Sequence, residues 1–181
     1  MNLVAGFAPF ILFTILSRLS VDLALWMAFA TAFVVTIRDF VESPSLRLLD
    51  AGSLILFALL ALGRGFLDPG LSLASVRFIA ALMLFLLLGL PLALKRPFSV
   101  AYARLDPREA GWPPELFLRV NYLVSGAWTA AFAAMAVADG AVTFDAGLPL
   151  YASVAISLVA LASAIAFTLR YPALAANRLN G

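Results

Sequence analysis

Residues 71–94 read LSLASVRFIAALMLFLLLGLPLAL, a run in which Arg77 is the one charged residue. A helix through it would be about 36 Å long, and the hydrocarbon core of a bilayer is about 30 Å thick. In water such a helix would have to be buried on every side. The chain cannot do that for all its apolar runs, because 64% of its 181 residues are hydrophobic and only 12% are charged. A soluble domain is closer to half apolar and a quarter charged. Mean hydropathy is +1.05. The expected fold is therefore all-α, a polytopic membrane helix bundle.

Six transmembrane helices can be placed, over residues 2–17, 22–37, 50–66, 71–94, 116–138 and 148–169. Pro9 predicts a kink in the first, because proline lacks the N–H that a helix interior needs. The first two helices make a hairpin, since one helix through both would be about 52 Å long, too long for a single crossing. Ser20 is placed to cap the second. The opening MNLVAGFAPFILFTILSRLS lacks a basic leader and a small-residue cleavage motif, so it reads as a retained first helix. Linkers are short, and residues 1–181 form one transmembrane domain.

Positively charged loops stay on the cytoplasmic side of a membrane. With six spans, Arg38, Arg47, Lys95, Arg96, Arg104, Arg108, Arg119, Arg170 and Arg178 share one side, and Arg18, Arg64 and Arg77 the other. Both termini are therefore expected in the cytoplasm. Arg77 lies seven residues into its span. Either the helix starts later, or the side chain reaches inward to an acid such as Asp22 or Asp68.

Three stretches share a pattern: IRDFVESPSLRLLD, LKRPFSVAYARLD and LRYPALAANRLN. Each has an arginine at a membrane exit, then an aromatic residue, then a second Arg-Leu. The pairs are Arg38/Arg47, Arg96/Arg104 and Arg170/Arg178. They fit three parallel helix-hairpin repeats about an axis along the membrane normal. They fit equally the plain tendency of arginines and aromatics to gather at the inner interface.

The stretches FAPFILFTILSRLSVDLA, KRPFSVAYAR and LFLRVNYLVSGAWTAAF follow one another in the order found in the bacterial intracellular septation protein A family, also called YciB-like, which this chain resembles from Ala8 to about Ala138. The shared elements are a Lys-[Lys/Arg]-Pro motif and an Asn with a Trp seven residues on. The connection LDPREAGWPPE and the alanine-rich last helix depart from the family's pattern. The resemblance implies a small, multi-pass protein of the bacterial inner membrane, tied to septation and envelope integrity. It carries over no catalytic residue.

Without Cys or His, the chain lacks thiol nucleophiles, imidazole bases and the usual zinc, copper and haem ligands. No carboxylate or cation lies near the middle of a span, where proton relays and many ion-coupled carriers place them. No phosphate loop, nucleophile elbow or metal cluster is present. The expectation is a protein that is not an enzyme and needs no cofactor or metal.

Two groups of residues stand out. Lys95, Arg96, Arg104, Arg108 and Arg119 form a cationic patch. With Phe98, Tyr102 and Leu105 at helical spacing, residues 97–105 could lie on the membrane with rings down and cations up. The patch either contacts anionic headgroups or a protein partner, or only fixes topology. Asp106, Glu109 and Glu115 dilute it, which argues against nucleic acid. The second group is Asn121, Ser125, Trp128 and Thr129, a polar intramembrane face of the fifth helix. It either bonds neighbouring helices or lines a pocket. Gly126, Ala130 and Ala134 beside it suggest close packing against the sixth helix. The leading expectation is action through lipids or other membrane proteins in septation and envelope maintenance. The alternative is a small transporter or channel for a neutral or organic solute, and a lipid-modifying enzyme ranks behind both.

Overall fold

The computed structural model describes residues 3–42, 47–103 and 112–177, and these are helical with short connections. Helix α1 (Leu3–Gly6) and helix α2 (Ala8–Leu16) are separated by Phe7. Pro9 falls in the first turn of α2, where a missing N–H costs nothing. The expected kink is thus a full break two residues earlier. Helix α3 (Val21–Glu42) follows, and the Leu23 N–H donates to Ser20 Oγ at 3.4 Å. Helix α4 (Leu48–Leu62) widens into a π-turn over Gly63–Leu67, and α5 spans Leu73–Ala93. Ser72 caps α5 by accepting from the Ser75 N–H at 3.1 Å. A single turn, α6 (Val100–Ala103), precedes α7 (Pro114–Thr143) and α8 (Leu150–Asn177).

Five of these stretches are long and apolar enough to cross a membrane: Val21–Val41, Leu48–Leu67, Leu73–Ala93, Pro114–Thr143 and Leu150–Ala175. The first segment is different. Residues 3–16 reach at most about 21 Å, short of the ~30 Å of hydrocarbon. That segment runs back along α3, with Phe7, Phe10 and Phe13 turned into the core and Ile15 left exposed. Phe10 packs edge-on against Phe132 of α7 at 4.8 Å, and Phe13 meets Phe57 of α4 at 5.7 Å. The long helices pack on one another in chain order, α3 on α4, α4 on α5, α5 on α7 and α7 on α8. Their outer faces show Ile55, Leu59, Leu90 and Val159. In water these would be an aggregation surface; in lipid they are the solvated face.

Several helices run past their expected ends. Helix α3 continues for more than a turn and takes in Arg38 and Asp39, and α7 continues to Thr143 and takes in Asp139. Helix α8 passes Pro172 and ends at Asn177. In their described residues the three arginine-bearing stretches take different local forms: a helix end, a turn with one helical turn, and continuous helix to Asn177. Arg104 and Arg178, the second members of two pairs, lie outside the described residues. Gly126, Ala130 and Ala134 do not form the helix contact expected of them. A methyl group added at Gly126 would meet nothing within 4 Å, and Ala130 and Ala134 are exposed. Close approach occurs elsewhere, where a methyl group on Gly52 of α4 would overlap Leu87 of α5.

Candidate functional site

The end of the bundle that holds residues 94–103 and the start of α7 is called inner here. The Trp128 ring is fully buried and lies flat on Phe7, with centroids 3.6 Å apart and planes 9° apart. Phe98 meets the same Phe7 edge-on at 6.0 Å. Phe7 can turn its ring this way because it sits at the break between α1 and α2. Trp128 also donates its indole N–H to Thr168 Oγ1 of α8 at 2.9 Å, and the Thr168 hydroxyl donates in turn to the Ala164 carbonyl at 2.8 Å. A tryptophan this deep keeps its polar atom satisfied through a second helix.

One turn toward the inner end, Ser99 links the 94–99 turn to α7. Its hydroxyl faces the Asn121 side-chain oxygen at 2.7 Å and the Asn121 carbonyl at 2.9 Å. Ser125 donates to Ser99 Oγ at 3.0 Å, and the Ser99 N–H donates to Ser125 Oγ at 3.3 Å. The Asn121 amide donates to the Phe117 carbonyl at 2.9 Å. Thr129 bonds only the Ser125 carbonyl, one turn back in its own helix. Asn121, Ser125 and Trp128 are buried, while Thr129 is half-buried. Beside them lies a cavity of about 30 Å³ touched by Leu3, Ser99, Asn121 and Thr168. That is room for about one water molecule. The Ser99 hydroxyl leans on amide oxygens, too weakly basic to take its proton, so the group is no nucleophile–base pair.

Phe98 and Tyr102 correct the expected membrane-lying helix. Both rings are buried in the protein, and the helix is the one turn of α6. Tyr102 donates its hydroxyl to Asp50 Oδ1 at 2.9 Å, and Arg47 lies over its ring at 4.8 Å. Arg47 bonds Asp39 Oδ2 at 2.5 Å and stands 4.0 Å from Asp50. Arg38 donates to the other oxygen of Asp39 at 2.8 Å through Nε. The cluster joins the inner ends of α3 and α4 to α6. Burial, and then the Asp50 charge, push the Tyr102 hydroxyl well above the usual tyrosine range, so it remains a donor.

A second buried cluster lies toward the outer end. Arg77 donates to Asp139 Oδ1 at 3.0 Å and to Ser157 Oγ at 2.8 Å, and Ser153 donates to the same carboxylate. Three helices, α5, α7 and α8, meet there. Arg77 therefore does reach inward, although α5 also starts two residues later than expected. Its partner is neither Asp22, which holds Arg64 at 2.7 Å, nor Asp68. The periodicity of residues 116–138 gives no sign of it, because a helix that ends at Ala138 puts Asp139 in a loop. The charged groups of both clusters lie within about 6 Å of helix ends, so the spans keep uncharged middles.

Of the cationic patch, Lys95, Arg96 and Arg119 are exposed, and Arg104 and Arg108 lie outside the described residues. Among the described residues no three His, Cys, Asp or Glu side chains converge on one point. No family model, curated protein or solved structure matches the chain.

Proposed function

We propose that this chain is a cell-envelope membrane protein that works through its lipid-facing and inner surfaces, holding lipids or other membrane proteins, and carries no solute through its centre. The packing of the inner core is the observation that supports this. Where a carrier would need a wet cavity at mid-depth, Phe7 lies on Trp128 at 3.6 Å, and the space beside Asn121 is about 30 Å³. The serine and asparagine polar atoms bond to one another and to backbone, and the tryptophan N–H bonds Thr168, so each has a partner within the protein.

The three stretches behind the septation-family resemblance also meet in this core. Phe7 from the first, Phe98 and Ser99 from the second, and Asn121, Ser125 and Trp128 from the third form one contact group. The motifs then have a common physical role: they hold the short first segment and the basic turn in place. On this reading the protein belongs with septation and envelope maintenance in the bacterial inner membrane. It has six passes, the first a short one, with both termini in the cytoplasm. It acts without catalysis.

The test is a flux screen on proteoliposomes, run beside crosslinking in intact cells from photoreactive residues at exposed positions such as Val137 and Leu90. Crosslinks to lipids or to specific membrane proteins, without solute uptake above protein-free vesicles, are expected. Saturable uptake of any screened solute would sink the reading in favour of a transporter.

A further inference from the structure

The cations of this protein divide into two kinds. Arg38, Arg47, Arg64 and Arg77 are bound to carboxylates. Arg18, Lys95, Arg96, Arg119 and Arg170 are exposed, and among the described residues none of the five forms an ion pair. All but Arg18 lie in the inner half. A short side chain at the same positions would satisfy the fold, so packing does not explain them.

Lys95 is the informative one. The end of α5 is closed by two backbone bonds: the Lys95 N–H donates to the Leu92 carbonyl at 3.0 Å, and the Arg96 N–H to the Pro91 carbonyl at 2.8 Å. This is the Schellman arrangement, whose pivot residue takes a left-handed backbone and is usually glycine. Here the pivot is Lys95, with φ of 59°. A residue with a Cβ is strained there. The sequence accepts that strain and puts a cation where glycine would relieve it.

The turn also fixes where the cations stand. Tyr122 of α7 donates its hydroxyl to the Leu92 carbonyl at 2.9 Å, pinning the seam between α5 and α7. Lys95 and Arg96 follow Leu92 within one turn, and Arg119 precedes Tyr122 by one turn on the same face of α7. Both sides of the seam therefore bring cations to the same depth. Below them Leu90, Leu94 and Leu123 are exposed to the hydrocarbon. Among the described residues the exposed acid close by is Glu115, one turn before Arg119 on α7; Asp106 and Glu109 lie outside the described residues.

We infer that the inner end of the α5–α7 seam is a binding site for an anionic phospholipid, its phosphate held by Lys95, Arg96 and Arg119 and its acyl chains lying along Leu90, Leu94 and Leu123. The inference rests on the proposed role in surface interaction and gives that role a ligand class. Charge complementarity carries it: cations without protein partners stand at headgroup height over a strip already solvated by acyl chains. The Tyr122 tie keeps the two halves of the site together, and the strained Lys95 aims the first of them.

The experiment uses the full chain in nanodiscs that contain phosphatidylglycerol and phosphatidylcholine, with retained phosphatidylglycerol counted by native mass spectrometry after transfer to detergent. Lys95→Gly should lower retention about fivefold, the effect of one surface cation, while raising the melting temperature because the strain is gone. Arg119→Gln should lower retention similarly, and Arg170→Gln, exposed on α8 and off the seam, should leave it unchanged. Equal losses in all three variants would overturn the seam site while leaving surface lipid binding intact. A wild-type protein with no preference for phosphatidylglycerol would overturn both. A fall in melting temperature with Lys95→Gly would show that Lys95 serves the fold, and would overturn the inference too.

Discussion

Arg77 and Asp139 show how a single residue acquires its role from its surroundings. Removing one partner of a buried ion pair leaves the other charge stranded, which costs about 3–5 kcal/mol. Arg77→Leu or Asp139→Leu alone should therefore lower the melting temperature in detergent sharply, and the double Leu variant should recover much of the loss. If the double variant is as weak as the sum of the singles, the pair is not the unit that matters. Asn121→Leu is expected to cost about 0.6–2 kcal/mol, the range for hydrogen bonds between membrane helices. Ser125→Leu should cost more, because Ser125 is fully buried against the Ser99 turn and added bulk would lift that turn from α7. Tyr102 offers a pH test with a definite sign. Its hydroxyl titrates above the usual value in the folded protein, so folding favours the protonated form. The stability from this residue is complete below the unfolded value of about 10 and declines as pH rises beyond it. Alkaline difference absorbance of the folded protein should then show the same tyrosinate signal in wild type and in Tyr102→Phe up to about pH 11.

At the scale of elements, the first segment is the least self-sufficient part of the chain. With α1 and α2 broken at Phe7, it is too short to cross the hydrocarbon as a free helix and has too little helix to be stable alone, so any pass it makes depends on the helices around it. Aromatic contacts hold it: Phe7 on Trp128, Phe10 on Phe132, Phe13 on Phe57. Phe7→Ala should cost about 3–5 kcal/mol, the range for large aromatic deletions in a core. It should also make a cysteine placed at Gly6 reactive to a membrane-impermeant maleimide, a clean assay because the chain has no cysteine of its own. Unchanged labelling beside a large stability loss would mean that the segment is held by its neighbours and not by Phe7.

For the whole molecule, the charge distribution and the packing answer different questions. The arginine and lysine asymmetry sets orientation. Reporter fusions near residues 44, 106 and 181 should read inside and those near 68 and 144 outside, and a reversed fusion at 106 would sink the six-pass arrangement. The packing bears on what passes through the bundle.

The sequence by itself determined the membrane environment, the helical class and the approximate places of the five long helices, though α3 and α7 run five residues and α8 eight past their expected ends. Those follow from composition and run length, which are local properties that no distant contact can alter. It also placed Asn121, Ser125 and Trp128 on one side of α7, since helical spacing is local too. Tertiary structure alone decided what that side meets, because the partners Phe7, Ser99 and Thr168 are far away in the chain. The same holds for Arg77, whose acid lies 62 residues on, just beyond where a periodicity reading ended the helix. Phe98 and Tyr102 went the other way, from an expected membrane-facing stripe into the core. Spacing tells which residues share a face, but only the neighbouring helices decide whether that face meets lipid or protein.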